Sequence, residues 1–274
     1  MMPTREQLER TFRRLGIDFS RPGFCDTPEF QAVERRDPAF LNSYAMYVRR
    51  LALPAEYLEQ ARTVIRTTAD FLHAELVADG RLGACVDISG AILRFLEHQG
   101  IWCHVTCGGL KIQFPEGSGI RPKWFFPLML RNAVFTGHAW IYAPPYTVVD
   151  ISVSLQPYPE EQRHYLNGCN FTEECDQPPD AVTIRDLMEP ELIEAFVRDR
   201  RRLPTMNDLE PHLTEFMGDF TPCRLVKDGV RFNYIPVKVS APDLPLDQML
   251  HPTLSGRRPI EVFEEFQRRQ HAAG

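Results

Sequence analysis

The sequence has 274 residues, 43% of them hydrophobic and 25% charged, so the chain is long enough to bury a core of its own. Its formal net charge of −6 argues against a nucleic-acid partner, because phosphate binding requires a basic surface. The N-terminal segment is charged from Arg5 onward and lacks the apolar region of a secretion signal, and the apolar run at residues 124–130 is too short to cross a membrane. We therefore expect a cytoplasmic globular protein without a membrane partner, whose seven cysteines are all thiols.

Residues 1–53 are predicted to form a helical N-terminal segment. Thr4 followed by Gln7 is typical of a capping box, and Thr27-Pro28 places a proline at the first position of a second helix. The longest predicted helix starts at Pro54 and runs to Gly80. We assign this helix to a central unit at residues 54–156.

A cysteine stands where a loop turns into a helix, within residues 83–96. A thiol at a first helical turn lies against unpaired backbone N–H groups and the positive end of the helix dipole, and both favour the nucleophilic thiolate. The helix is predicted to be buried on several faces by Val86, Ile88, Ala91, Ile92, Phe95 and Leu96. Cys85 is therefore a candidate nucleophile, although buried cysteines also serve simply to fill a core.

Two short apolar segments downstream, residues 137–142 and 147–152, are predicted to pair as a hairpin around Pro144-Pro145. Each segment carries one polar residue, His138 in the first and Asp150 in the second. Antiparallel pairing about the turn would bring these two side chains within cross-strand reach. Together with Cys85 they would supply a nucleophile, a base and a group that orients the base.

These motifs in this order resemble the transglutaminase-like branch of the papain-like cysteine enzymes. The resemblance covers about residues 80–156 and rests on Gly-x-Cys-x-Asp at a helix start, Gly-Ile leading into a strand, Gly-His-Ala-Trp and Val-Val-Asp. It implies an α+β fold in which a buried helix carrying the cysteine packs on an antiparallel sheet. It also implies a Cys85-His138-Asp150 triad that transfers acyl groups through a thioester and uses no cofactor.

The resemblance leaves the outcome of the reaction open. Water would make the protein a peptidase or deamidase, and an amine would make it an acyltransferase, acting on a peptide, a protein or a small amide. The family commonly has an aromatic residue where Ile88 stands and a proline where Ile151 stands, and it often uses an upstream Trp or Gln as an oxyanion donor. The side chains here that could replace this donor are Asn42, Tyr44, Tyr47, Tyr57 and Gln60. The alternative is a binding or scaffold protein that keeps the fold without catalysis.

An insertion at residues 115–132 precedes the His138 strand and is rich in aromatic residues. We predict that it lines a substrate cleft and that Trp124, Phe125 and Trp140 contact the substrate. The alternative is a packed satellite cluster of the core.

The remaining patterns predict structure without further chemistry. Cys103 and Cys107 share one face of a strand while His104 points to the other, so we predict no metal site there. Residues 157–274 are predicted to form a mixed α/β extension packed on the central unit. It would contain a helix starting at Thr183 and ending near residue 202, a strand at residues 230–239 and a terminal helix from Pro259.

Overall fold

The computed structural model describes residues 3–126, 128–130, 133–135, 137–174 and 182–273. It has an α+β fold with helices at the N-terminus and an antiparallel sheet. The helices are α1 (Arg5–Arg14), α2 (Pro28–Glu34), α3 (Leu41–Arg49), α4 (Ala55–Asp79), α5 (Cys85–His98), α6 (Glu160–Arg163), α7 (Ile184–Leu187), α8 (Pro190–Arg200), α9 (Met206–Leu209), α10 (Leu213–Asp219) and α11 (Pro259–Ala273). The strands are β1 (His104–Gln113), β2 (Lys123–Phe125), β3 (Leu128–Leu130), β4 (Ala133–Phe135), β5 (His138–Ala143), β6 (Tyr146–Asp150), β7 (Asn170–Thr172), β8 (Cys223–Lys227) and β9 (Val230–Ser240). Within the described ranges, none of the helices is long and apolar enough to cross a membrane.

The predicted helix boundaries in the N-terminal part are confirmed. Thr4 and Gln7 form the reciprocal bonds of a capping box at the start of α1. Pro28 occupies the first turn of α2, where its missing N–H costs nothing. Helix α4 ends at Gly80, whose φ of +69° is the left-handed conformation that glycine adopts at helix ends.

The main sheet is antiparallel with the strand order β7-β6-β5-β1-β9-β8, and β2 pairs with the second half of β1. Strand β9 runs beside β1 along almost its whole length, so a strand from the C-terminal part lies inside the sheet, between β1 and the edge strand β8. A bulge lies in β1 at Cys107/Gly108. The backbones approach so closely there that a Cβ on Gly108 would lie 2.0 Å from the carbonyl oxygen of Ile235.

Helix α5 lies in the main hydrophobic core, between the sheet and α4. Its inward residues pack with Ile65 and Leu72 of α4 and with Val105 and Ile141 of the sheet. The expectation that Val86 is buried was wrong, because this side chain is 53% exposed. Position 86 lies on the side of the first turn that the sheet and α4 leave uncovered.

The C-terminal part differs from the sequence prediction in three places. The helix expected from residue 183 to about residue 202 is divided into α7 and α8, because Pro190 cannot continue the hydrogen-bond ladder of the first helix. Strand β8 pairs with β9 although its sequence was not predicted as a strand. Cys223 is disulfide-bonded, so the expectation that all seven cysteines are thiols was wrong. The positions of cysteines along the sequence do not show which sulfur atoms lie close enough to form a bond.

Candidate active site

The thiol predicted as nucleophile lies at the first residue of α5. Gly83 before it has a φ of +75°, which glycine adopts without steric cost, and its N–H donates to the carbonyl oxygen of Leu155 at 2.9 Å. This bond ties the loop before α5 to the segment that follows β6. The Cys85 side chain is 6% exposed, and its Sγ lies 4.0 Å from the carbonyl oxygen of Gly137.

The backbone around the thiol provides unpaired N–H groups. The bond from Ile88 N to Ala84 O, at 2.9 Å, starts the hydrogen-bond ladder of α5. The N–H groups of the helical residues before Ile88 therefore point out of the N-terminal end of the helix, where the dipole is positive. This end of α5 is suited to hold a negative charge that develops beside Cys85.

The two polar side chains of the β5–β6 hairpin form a buried pair. His138 Nε2 and Asp150 Oδ2 are 2.6 Å apart, and each residue is 1% exposed. Because Ile141 pairs with Val149, the residue opposite Asp150 is Trp140, and His138 is the diagonal neighbour on the same face. The hydrogen bond expected from the sequence is therefore present, although the two residues are not directly opposite each other.

Asp150 is held by donors from three parts of the chain. Its Oδ1 accepts from the backbone N–H of Ser152 at 3.1 Å and from the Ser152 hydroxyl at 3.2 Å. Its Oδ2 accepts from the Tyr234 hydroxyl at 3.0 Å in addition to His138, and Asn170 Nδ2 donates to the same hydroxyl at 2.9 Å. Burial and then the charge of Asp150 raise the pKa of Tyr234 well above its usual range, so the phenol is a neutral donor. These donors offset the cost of burying a carboxylate.

The pair holds a proton on the imidazole. Burial alone would lower the pKa of His138, but the charge of Asp150 and its hydrogen bond outweigh burial and raise the pKa to about 10, with a smaller contribution from Cys85. With Nε2 on the carboxylate, the other ring nitrogen, Nδ1, is left buried and forms no hydrogen bond within the described residues. The neighbouring ionisable group on the side away from Asp150 is the Cys85 thiol.

The three predicted substrate contacts occupy different environments. The Phe125 ring lies 5.9 Å from the His138 ring and is nearly buried. Trp124 points to the other face of β2, where its Nε1 donates to the carbonyl oxygen of Arg185 at 3.1 Å. Trp140 is 3% exposed and packs edge-on against Tyr234, so it belongs to the core beneath the His138–Asp150 pair. The structure thus brings Phe125 to the pair, whereas Trp140 is buried in the core and Trp124 lies on the opposite face of β2 from Phe125.

The other free thiols are poorly suited to act as nucleophiles. Burial raises the pKa of Cys107 to about 11 and that of Cys169 to about 12. It raises the pKa values of Cys25 and Cys103 well above their usual range. These four cysteines stay protonated at neutral pH, and the fifth free cysteine among the described residues is Cys85.

Two of the tyrosines considered as upstream oxyanion donors, Tyr44 and Tyr57, are engaged elsewhere. The Tyr57 hydroxyl accepts from the Trp102 backbone N–H at 2.8 Å, and the Tyr44 hydroxyl donates to the carbonyl oxygen of Cys103 at 3.0 Å. Both lie at the C-terminal end of α5, a helix of 14 residues and therefore about 20 Å long. They are too far from Cys85 to contact a substrate bound there.

Three residues that sequence reasoning missed, Ser152, Asn170 and Tyr234, complete the surroundings of Asp150. Ser152 follows the acid by two residues, and that spacing is a recognisable turn pattern. Asn170 lies opposite Asp150 in the β6–β7 ladder, and Tyr234 arrives on β9, 84 residues away. The sequence carries no local signal for either of these long-range contacts.

No group of three His, Cys, Asp or Glu side chains in the described part of the chain is arranged to hold a metal ion. Cys103 and Cys107 pack in the core with α5, and His104 stacks on Tyr142 on the opposite face of β1, as the strand alternation predicted. A scan against protein-family models and searches of curated proteins and solved structures find no match to this chain.

Proposed function

We propose that the protein is a cysteine-nucleophile acyl-transfer enzyme of the transglutaminase-like, papain-like type. The observation that carries the proposal is the buried His138–Asp150 pair, 2.6 Å apart, with the second imidazole nitrogen left free beside the Cys85 thiol. A cysteine at a helix start, an imidazole next to it and a carboxylate behind the imidazole are the three roles that acyl transfer through a thioester requires.

In the proposed reaction the thiol proton moves to His138 Nδ1, and Sγ attacks the carbonyl carbon of an amide. The raised pKa of His138, about 10, favours an imidazole that keeps this proton at neutral pH. The N–H groups at the start of α5 stabilise the oxyanion, each donor being worth about 3–4 kcal/mol of the barrier. His138 then gives its proton to the leaving amine as the C–N bond breaks, and a thioester on Cys85 remains.

The thioester is released by a second nucleophile. Water or an amine loses its proton to His138 while it attacks the thioester carbon, the C–S bond breaks, and the thiolate returns. Water yields a carboxylic acid and an amine yields a new amide. Asp150 holds the imidazole so that Nδ1 faces the sulfur.

Alkylation of the cysteines tests this proposal without knowledge of the substrate. Iodoacetamide is applied between pH 5 and 8, and mass spectrometry measures the labelling rate of each cysteine. We expect Cys85 to react fastest at pH 6–7, because the other described free thiols are protonated there. Cys107→Ala is the matched control, since it removes a neighbouring thiol and should leave Cys85 labelling unchanged.

A chromogenic ester provides the second part of the test. Wild-type protein should release p-nitrophenolate from a p-nitrophenyl ester, and Cys85→Ser should not, although its circular dichroism spectrum is unchanged. Equal labelling of all free cysteines, together with equal ester turnover by wild type and Cys85→Ser, would contradict the proposal. The chain would then be better described as a binding protein.

A further inference from the structure

Arg49 packs between aromatic rings at the end of β5 that is farther from His138. It is the last residue of α3, and its guanidinium carbon lies 4.4 Å from the centre of the Tyr142 ring. The ring of Phe220, which follows α10, is centred 5.6 Å from the same atom. Tyr142 and His138 are four residues apart on β5, which is about 13 Å along an extended strand. This position is therefore separate from the candidate active site.

Arg49 differs from the other arginines that stack on aromatic rings in the described part of the chain. Each of those arginines also donates a hydrogen bond to a carboxylate or a hydroxyl; they are Arg13, Arg66, Arg202 and Arg269. Arg49 forms neither an ion pair nor a hydrogen bond with a described residue. Its N–H groups are therefore left without an acceptor from the protein, although two rings cover part of the guanidinium.

Within the described ranges, no carboxylate balances the charge of Arg49. Burial lowers the pKa of Arg49, and the positive charge of the adjacent Arg50 acts in the same direction. The His104 ring stacks on Tyr142 with the centres 5.0 Å apart, and burial and then the charge of Arg49 lower the pKa of His104 well below its usual range. The imidazole is therefore neutral, and its buried Nε2 also forms no hydrogen bond with a described residue.

These features suit a carboxylate better than a larger anion. A guanidinium is planar, and its edge presents pairs of N–H groups that match the two oxygens of a carboxylate. Arg50 donates to the carbonyl oxygen of Met46 at 3.2 Å, so Arg49 supplies the available charge, and the net charge of −6 on the chain disfavours polyanions. Arg49 and Tyr142 are only half-buried, so a ligand can reach the guanidinium from solvent.

We propose that Arg49 binds a carboxylate through the edge of its guanidinium, with Tyr142 and Phe220 against the apolar part of the ligand. Two flanking rings suit an acid that carries a ring or a short apolar group next to its carboxylate. The same chemistry is present in a small free acid and at the C-terminus of a peptide. The inference does not rest on the proposed function, because neither Cys85 nor His138 takes part in the binding.

Benzoate and benzamide test the proposal, because they have nearly the same shape and differ in charge. Their binding to the wild-type protein is measured by NMR titration at low ionic strength, so that screening by salt is small. We expect benzoate to bind about tenfold more tightly than benzamide and to shift the ring resonances of Tyr142. Arg49→Gln should remove this difference, and Arg49→Lys, which keeps the charge and loses the planar edge, should reduce it.

Arg66→Gln is the matched control. Arg66 also stacks on an aromatic ring, that of Phe171 at 4.6 Å, but its Nε donates to the Tyr146 hydroxyl at 2.7 Å. This variant should keep the tenfold preference for benzoate of the wild-type protein. Equal affinities of the wild-type protein for benzoate and benzamide, or a preference that persists in Arg49→Gln, would overturn the proposal. The wild-type measurement is decisive even where a variant fails to fold.

Two further ligands identify the source and the class of the anion. N-benzoylglycine presents its carboxylate as the C-terminus of a peptide does, benzoate represents a free acid, and the tighter binder indicates which source the site accepts. Tighter binding of phenyl phosphate than of both carboxylates would overturn the assignment to a carboxylate. Repeating the benzoate titration with Cys85→Ala should give the wild-type affinity, so these outcomes are independent of whether Cys85 is the nucleophile.

Discussion

Replacing Tyr234 by Phe removes the hydroxyl that donates to Asp150 and keeps the ring that packs on Trp140. The lost bond is donated to a buried carboxylate at 3.0 Å, and hydrogen bonds to charged groups contribute about 1.5–3 kcal/mol. The substitution also leaves Asn170 Nδ2 without its acceptor. We therefore expect a loss of about 3 kcal/mol in the free energy of unfolding, which is a decrease of roughly 6–12 °C in Tm for a chain of this size.

Tyr158→Phe is a matched control. Tyr158 is also buried, but its hydroxyl donates to the neutral carbonyl oxygen of Val153 at 2.7 Å. A neutral hydrogen bond contributes about 1 kcal/mol, so this variant should lose only roughly 2–4 °C. Calorimetry of both variants at pH 7 measures the difference.

The iodoacetamide rate of Cys85 adds a measure of function to this comparison. It should fall in Tyr234→Phe, where the carboxylate that orients His138 has lost a donor, and stay near the wild-type rate in Tyr158→Phe. Equal losses of stability in the two variants would refute the argument, because they would mean that the Tyr234 bond to Asp150 is no stronger than a bond to a neutral carbonyl group.

Two further predictions concern pH and packing. The pKa of His138 is raised above its unfolded value of about 6.5 to about 10, so its contribution to stability is complete below pH 6.5 and is lost as the pH rises through 10. Between pH 6.5 and 9.5, the free energy of unfolding measured in urea should therefore decrease by at least about 1.4 kcal/mol more in wild type than in Asp150→Asn. Equal decreases would contradict the assigned pair. Gly108→Ala should cost at least about 3 kcal/mol, because its Cβ would meet the Ile235 carbonyl oxygen at 2.0 Å. The control is Gly218→Ala in α10, which has no atom within 4 Å of the added Cβ and should be neutral or slightly stabilising. A similar loss of stability in the two variants would show that small movements relieve the close approach at Gly108.

The local parts of the structure could be predicted from the sequence because their causes are local. A capping box and a proline in the first turn define where helices α1 and α2 begin. The two polar residues of the β5–β6 hairpin are separated by only 12 positions, so a single turn brings them together. Their pairing needs no knowledge of the rest of the chain.

The surroundings of that pair could not be predicted because they depend on long-range strand order. Tyr234 reaches Asp150 only because β9 pairs with β1. The alternation of polar and apolar residues within one strand does not determine the order of the strands in a sheet. The exposure of Val86 has a similar cause, since it depends on which side of α5 the other elements cover. The single helix expected from residue 183 was a local error, because Pro190 was present in the sequence to divide it.

The place of β9 in the sheet also bears on how the candidate site depends on the C-terminal part of the chain. Asp150 is buried with donors from β5, from the turn after β6 and from β9, and only the last of these lies outside residues 54–156. Without β9 the carboxylate would lose the Tyr234 hydroxyl, and the long edge of β1 would be left unpaired. A buried carboxylate that loses a donor is destabilised by the full cost of the missing bond. The main sheet therefore depends on a strand that we predicted, from the sequence, to belong to the C-terminal extension. The position of His138 beside Cys85 depends on the same strand.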